Sequence, residues 1–342
     1  MKINRILIVG LGSIGKRHLR LLRSILPEAQ IGVLRHKTIN QVPEFANFVF
    51  SRMDEALAFA PQIAVISNPA SLHIDSAIPL VQAGVHLLIE KPLSTSVAGV
   101  LNLLEECKRN NVILAIGYNL RFSPSLLKFK SLIDDGIIGR VWSVRSEAGQ
   151  YLPSWRPESD YRHSVSAQSS MGGGVLLELS HELDYLRWIF GDIDWVQAML
   201  SKQGELEIDV EDSAHILMGF TPQKIGEKIV ATLDLDFIRQ DAVRTCTAIG
   251  EFGSLNWNGL DGSVKLWKIN AADWQELYRH KPNRDEMYIS ELDDFISNAR
   301  SNTQPKVTGN DGLKVLQIVD AVRRSAHSKI NQIKISSEYL ND

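Results

Sequence analysis

The chain has 342 residues, 44% hydrophobic and 23% charged, with a formal net charge of −3. That length exceeds one ordinary core and makes two domains the default for a globular protein. The small negative balance gives no electrostatic reason to bind nucleic acid or an anionic membrane surface, and no apolar run approaches membrane-spanning length.

Arg5 to Val9 is a β-branched-rich run stopped by Gly10, the pattern of a buried strand. Gly10-Leu-Gly12-Ser13-Ile14-Gly15 follows, and Lys16 to Ile25 carries apolar residues at helical spacing. A GxGxxG turn between a strand and a helix is the dinucleotide-binding fingerprint. Gly10 permits the tight turn, Gly12 lets backbone approach a pyrophosphate, and Gly15 lets the helix pack close. The helix start offers free N–H groups and its positive dipole end to phosphate.

Ile31 to Arg35 reads as the second strand. An NAD site usually has an Asp or Glu here, about 20 residues past the glycines, to hold the ribose 2′-OH. This chain has Arg35, then His36 and Lys37. A guanidinium grips a 2′-phosphate through two hydrogen bonds, so NADP is favoured over NAD. Arg35 stacked on an adenine, or turned to solvent, is the alternative.

Met53 to Phe59 predicts a helix, Gln62 to Ser67 a strand, and His73 to Ala83 a helix ending at Gly84. Val85 to Ile89 predicts the strand that delivers Glu90-Lys91-Pro92. Thr95 to Asn110 predicts a helix and Val112 to Gly117 a strand. Such β-α-β alternation predicts a doubly wound parallel sheet with right-handed crossovers. The loops Gly10–Gly15, Asn68–His73, Glu90–Pro92 and Tyr118–Phe122 then line one edge of it. Lys91 stands out, because an ammonium at the end of a buried strand is costly unless something there needs it. Pro92 biases Lys91 toward extended backbone.

The chain is similar in these motifs to the Gfo/Idh/MocA oxidoreductases, the relatives of glucose–fructose oxidoreductase and inositol dehydrogenase. The residues that carry the resemblance are the GxGxxG start, Asn68-Pro69 with His73, Ala83-Gly84, Glu90-Lys91-Pro92 and Tyr118-Asn119-Leu-Arg121-Phe122. The resemblance implies a nicotinamide cofactor and a sugar-like substrate whose reacting oxygen bonds Lys91. It sets Asn68 and His73 near the cofactor's ribose and nicotinamide, and makes Pro69, Glu90, Lys91 and Asn119 cofactor-binding residues as well.

After Phe122 the pattern changes. Leu126 to Gly136 predicts an amphipathic helix and Trp142 to Gln150 a strand. The Tyr151–Arg162 loop, with Trp155, Arg156 and Arg162, offers stacking faces and polar groups suited to a sugar. A surface loop with a packed aromatic or two is the plainer reading. Gly172-Gly173-Gly174 opens a predicted helix over 175–190 that carries Glu178, His181 and Asp184 at intervals of three. A zinc motif fails there, since residue 185 is Tyr rather than a second His. No metal is expected. The resemblance makes His181 the general acid/base. The family often has an Asp four residues earlier, where this chain has Leu177, so Glu178 is the nearest orienting or proton-relay carboxylate. Asp184 reads as structural or substrate-orienting.

From Val196 to Lys268 strands with few helices predict a largely antiparallel sheet, one face of which is an oligomer surface in the family. Helices are predicted over 284–299 and 311–327.

The expectation is therefore an α/β protein. A Rossmann domain spans 1–120, and an α+β substrate and oligomerisation domain spans 121–342, its closing helix packing back on the first. Lys91, His181 and Glu178 carry catalysis; Tyr118, Arg121, Tyr151, Trp155, Arg156, Arg162 and Asp184 meet substrate. The substrate is expected to be a sugar or derivative (an amino sugar, a sialic-acid-like sugar or a nucleotide sugar) and the assembly a homodimer or homotetramer. Cys107 and Cys246 fit free thiols, and the N-terminus lacks a secretory pattern, so a cytoplasmic location is expected. A non-catalytic NAD(P) sensor and a reductase of a non-sugar substrate are the alternatives.

Overall fold

The structure, a computed structural model, describes residues 2–35, 41–222, 228–281, 283, 285–328 and 332–335. The chain begins with Arg5–Val9 (β1), Ser13–Ile25 (α1), Gln30–Leu34 (β2), Phe48–Phe50 (β3), Met53–Ala58 (α2) and Ile63–Ile66 (β4). His73–Gln82 (α3), His86–Glu90 (β5), Val100–Arg109 (α4) and Leu114–Gly117 (β6) follow. The strands form one parallel sheet in the order β3-β2-β1-β4-β5-β6. Every residue of β4 and β6 is buried, as a sheet covered on both faces requires. The strand order reverses between β1 and β4, and open α/β sheets bind ligands at such a switch point.

Two local readings needed correction. The short edge strand β3 was missed, because three residues carry no usable periodicity. The predicted helix from Thr95 starts only at Val100, after Gly99 at φ 74°. Hydroxyl side chains compete with helix for backbone hydrogen bonds, and here the Ser96 hydroxyl accepts from the Ala98 amide at 3.4 Å.

The chain continues with Pro124–Asp134 (α5), Val141–Gly149 (β7), Val175–Glu178 (α6), His181–Phe190 (α7), Ile193–Ser201 (β8) and Ser213–Phe220 (β9). Val230–Asp236 (β10), Val243–Gly250 (β11), Gly253–Asn258 (β12), Ser263–Lys268 (β13) and Gln275–Arg279 (β14) follow, then Glu286–Ser301 (α8), Gly309–Ser328 (α9) and Ile333–Lys334 (β15). A nine-stranded sheet runs β14-β13-β12-β11-β7-β10-β9-β8-β15, with β7 and β10 parallel and every other pair antiparallel. The single helix predicted over 175–190 is two helices, broken at Leu179 and Ser180. Val175, Leu176, Leu177 and Leu179 are all buried, more than one helical face can cover, and the break turns them all inward.

The chain divides into two compact units, Met1–Asn119 with Asp285–Leu316, and Leu120–Arg284 with Gln317–Asp342. The second unit is thus not the continuous stretch 121–342. Helix α8 explains the exchange: Leu292, Phe295, Ile296 and Ala299 join Ile6, Ile8, Leu22 and Ile31 in one core. Among the described residues no helix is long and apolar enough to cross a membrane.

Candidate active site

In the first unit, the glycine turn follows β1. Gly10 has φ +89°, and a Cβ there would stand 2.7 Å from the Asn68 amide nitrogen. A Cβ on Gly15 would stand 2.7 Å from Ser67 Oγ and collide with the Gly10 carbonyl. A Cβ on Gly12, by contrast, would meet no other atom of the described residues within 4 Å. Two glycines are therefore demanded by the protein's own packing, while the third keeps space clear for an occupant. Ser13 and Ile14 open α1, whose start has no side-chain cap and no acid in its first turn. Free N–H groups, a positive dipole end and an open cradle together fit a pyrophosphate.

The neighbouring loop leaves Asn68 half-buried. Its Nδ2 donates to Ser76 Oγ at 2.9 Å, while its buried Oδ1 has no hydrogen-bond partner among the described residues. Such an oxygen suits a ligand hydroxyl. Pro69 is half-buried beside it. His73 lies deeper, 1% exposed, with Nδ1 3.0 Å from the Pro92 carbonyl and Nε2 2.9 Å from the Asn68 carbonyl. This ring clips the Asn68 loop to the Lys91–Pro92 turn. Burial pushes its pKa down, and the carbonyl oxygens of Asn68 and Pro92 oppose the shift. Arg35 is half-buried just past β2, and its amide donates to the Phe50 carbonyl at 3.0 Å. His36 lies outside the described residues.

Glu90 ends β5 and turns inward. Its Oε1 accepts from His18 Nε2 at 2.6 Å, and its Oε2 from the Lys91 amide at 3.3 Å. Lys91 follows half-buried, with a cis bond to Pro92. Tyr118 and Asn119, just past β6, are buried. Two members of this neighbourhood escaped the sequence reading, His18 and Glu291. The signal was present: each sits on the apolar stripe of its helix, His18 beside Leu19 and Leu22, Glu291 beside Leu292 and Phe295.

In the second unit, α7 carries a polar row. His181 is its first residue, half-buried, and Glu178 closes α6 beyond the break. The spacing of three therefore does not run along one continuous helix. Arg121 donates from Nε and Nη2 to both carboxylate oxygens of Asp184, at 2.8 and 2.6 Å. The buried Glu182 accepts from Arg244 Nε at 2.7 Å. Tyr185 hydrogen-bonds Ser146 Oγ at 2.6 Å, and burial holds its phenol well above the usual range.

The loop before α6 is built from short 3-10 turns. Trp155 donates its indole N–H to the Gln150 carbonyl at 3.0 Å and packs edge-on against Phe237 at 5.2 Å. Its near neighbours differ: Tyr151 is half-buried and Arg156 exposed. Arg162 pairs with Asp160 at 2.8 Å and reaches Glu207 at 3.4 Å; the guanidinium holds Asp160 down at about 2. The loop closes on Gly173, where a Cβ would meet the Val165 and Ser166 carbonyls.

Residues 4–118 match the family described as "Oxidoreductase family, NAD-binding Rossmann fold", and residues 126–256 match "GFO/IDH/MocA C-terminal domain". The chain is 26% identical over 345 residues to myo-inositol 2-dehydrogenase of Thermotoga maritima, across 95% of this chain and 97% of that one. It is 32% identical over 236 residues to levoglucosan dehydrogenase of Pseudarthrobacter phenanthrenivorans, across 66% and 57% respectively. The solved levoglucosan dehydrogenase complex with NADH superposes at TM-score 0.83 and 21% identity, covering 97% of this chain and 99% of that one. The WlbA dehydrogenase from Bordetella pertussis in complex with NADH and UDP-GlcNAcA superposes at 0.78 and 22%, with 97% and 99% covered. At those identities the structures establish a shared fold.

Proposed function

The chain belongs to the Gfo/Idh/MocA family of oxidoreductases, and from that membership we propose that it transfers a hydride between a nicotinamide cofactor and a hydroxyl- or keto-bearing carbon of a sugar or sugar derivative. The observation that carries this reading is Lys91, a half-buried ammonium at the end of β5, on the sheet edge where the glycine turn opens.

The cofactor, when bound, supplies the hydride chemistry. The chain's own residues do the rest. The amides at the start of α1 hold phosphate, and Asn68 Oδ1 accepts from a ribose hydroxyl. Lys91 holds or polarises the substrate oxygen. His181 moves the proton, a task suited to a side chain that titrates near neutrality. Glu178 orients it or relays the proton. Fixing the reacting groups in a dry setting supplies much of the rate.

For the cofactor, relatives solved with NADH or NAD support NAD, and Arg35 supports NADP. Titration of NADH against NADPH by fluorescence separates the two, and a clear preference for NADH removes the Arg35 argument. For the substrate, relatives named for inositol and levoglucosan support a neutral polyol. Two of the three arginines considered for an anionic sugar are engaged with carboxylates, Arg121 with Asp184 and Arg162 with Asp160. An amino sugar, a sialic-acid-like sugar and a nucleotide sugar remain in the panel, the last because of the WlbA complex. The test is cofactor reduction across that panel, and turnover of no member would defeat the reading. Exposed Trp142 on β7 and Met199 on β8 support self-association through the nine-stranded sheet, which light scattering tests.

A further inference from the structure

β5 ends in two ionisable residues with opposite destinations: Lys91 stays half-buried at the edge, and Glu90 is 8% exposed and points inward. The Glu90 carboxylate is held from several sides. His18 of α1 donates to Oε1 at 2.6 Å, and the Lys91 amide donates to Oε2 at 3.3 Å. Gly117, its partner in register on β6, leaves room for it, since a Cβ there would stand 3.0 Å from Oε2. Glu291 of α8 completes the group. It is 3% exposed, and neither of its oxygens has a hydrogen-bond partner among the described residues. The donor atoms of His18, Glu90 and Glu291 all lie within 4.8 Å of one another.

A core gains nothing in stability from such a set. Two carboxyls and an imidazole cost more desolvation than apolar side chains of similar volume. A metal accounts for it poorly: His18 Nε2 and Glu90 Oε1 stand 2.6 Å apart, a hydrogen-bond distance and closer than the roughly 3.5 Å between tetrahedral zinc ligands with bonds of about 2.0–2.2 Å. The backbone amide of Lys91 is in direct contact with the cluster.

We infer that Glu90, braced by His18, is a positioning residue for Lys91: its carboxylate fixes the amide that follows β5 and so the direction in which the ammonium projects. This rests on the reading of Lys91 as the residue that meets substrate. Burial, with Glu90 and Asp294 nearby, pushes the Glu291 carboxyl well above the usual range, so it holds its proton to higher pH than an exposed glutamate. The titratable and charged groups facing it are His18 and Arg17 from α1, Glu90 from β5, and Tyr288 and Asp294 on its own helix. Ionising Glu291 sets a second negative charge against Glu90 and pulls it from the Lys91 amide.

The test needs no substrate. In the full-length protein, Glu291→Gln and Glu90→Gln, competitive acetylation with acetic anhydride read by peptide mass spectrometry reports the reactivity of Lys91 against pH. Infrared difference spectroscopy reports the un-ionised carboxyl. The expected result is a buried carboxylic-acid band that Glu291→Gln removes. The parent should also show an alkaline break in Lys91 reactivity, beyond the lysine's own titration, that Glu291→Gln lacks. Glu90→Gln should change Lys91 reactivity several-fold with the other lysines unaltered. Identical profiles in all three proteins, a parent without the band, or zinc stabilisation lost in Glu291→Gln would each overturn the inference. Should Glu90→Gln unfold, all lysines would change together, and Glu291→Gln, an isostere of the neutral acid, decides alone. Turnover surviving in Lys91→Met would remove Lys91 from the chemistry and leave these labelling profiles unchanged, so the two failures are distinct.

Discussion

Arg121 grips both oxygens of Asp184, Nε at 2.8 Å and Nη2 at 2.6 Å, with the arginine 4% and the aspartate 1% exposed. The pair joins the segment after β6 to the first turn of α7, the helix that His181 begins. Removing one partner strands a buried charge, which costs about 3–5 kcal/mol. Arg121→Met or Asp184→Asn should therefore lower the denaturation midpoint sharply. Arg121→Met/Asp184→Asn together should be milder than the sum of the two single changes, because neither charge is left alone. Additive losses in a denaturant series would show that the pair is not coupled.

The glycine turn predicts opposite outcomes two residues apart. Gly10→Ala meets the Asn68 backbone at a φ of +89° and should cost at least about 1–3 kcal/mol of stability. Gly12→Ala meets nothing within 4 Å among the described residues and should leave stability within about 0.5 kcal/mol. It should still weaken NADH binding by about tenfold or more, since the added methyl fills the phosphate cradle. Calorimetric melting and fluorescence titration measure the two separately.

These contrasts show what the sequence made legible. The Rossmann half was readable because buried parallel strands are continuous apolar runs and the glycine spacing is a backbone requirement. The Arg121–Asp184 pair was not: its members are 63 positions apart, and each looked like a group facing substrate. The Leu179–Ser180 break was hidden, because the residues on either side have ordinary helical character and packing in several directions causes the turn. Asp285–Leu316 was assigned to the wrong unit, since an amphipathic helix declares that it has a buried face but not which core receives it. His18 and Glu291 were overlooked for the converse reason, as polar residues on apolar stripes whose partners lie far along the chain.

His73 gives the acid limb of stability. Unfolded histidine titrates near 6.5, and burial lowers the folded value, so the unfolded chain holds more protons on acidification. The contribution is full above that unfolded value and is lost as pH falls through the folded one. Between about pH 7.5 and about pH 5 the parent should lose more thermal stability than His73→Asn does. Parallel curves for the two proteins would show that His73 does not set this limb.

The Asp160–Arg162 pair lies in the solvent, 36% and 48% exposed at the side chains, where ion pairs contribute little to stability. Arg162→Ala should leave the melting temperature unchanged. If the loop receives substrate, the same change should raise KM without a matching fall in kcat. An unchanged KM would take Arg162 out of substrate binding.

Lys91→Met is the most direct test of the account. The substitution keeps the length of the side chain and removes its ammonium. NADH or NADPH fluorescence titration should give parental affinity, while kcat on a sugar that the parent turns over should fall by about 100-fold or more, the scale of losing one polarising or proton-handling group. Turnover at the parental rate, with cofactor still bound, would contradict the assignment of Lys91 to the reacting oxygen.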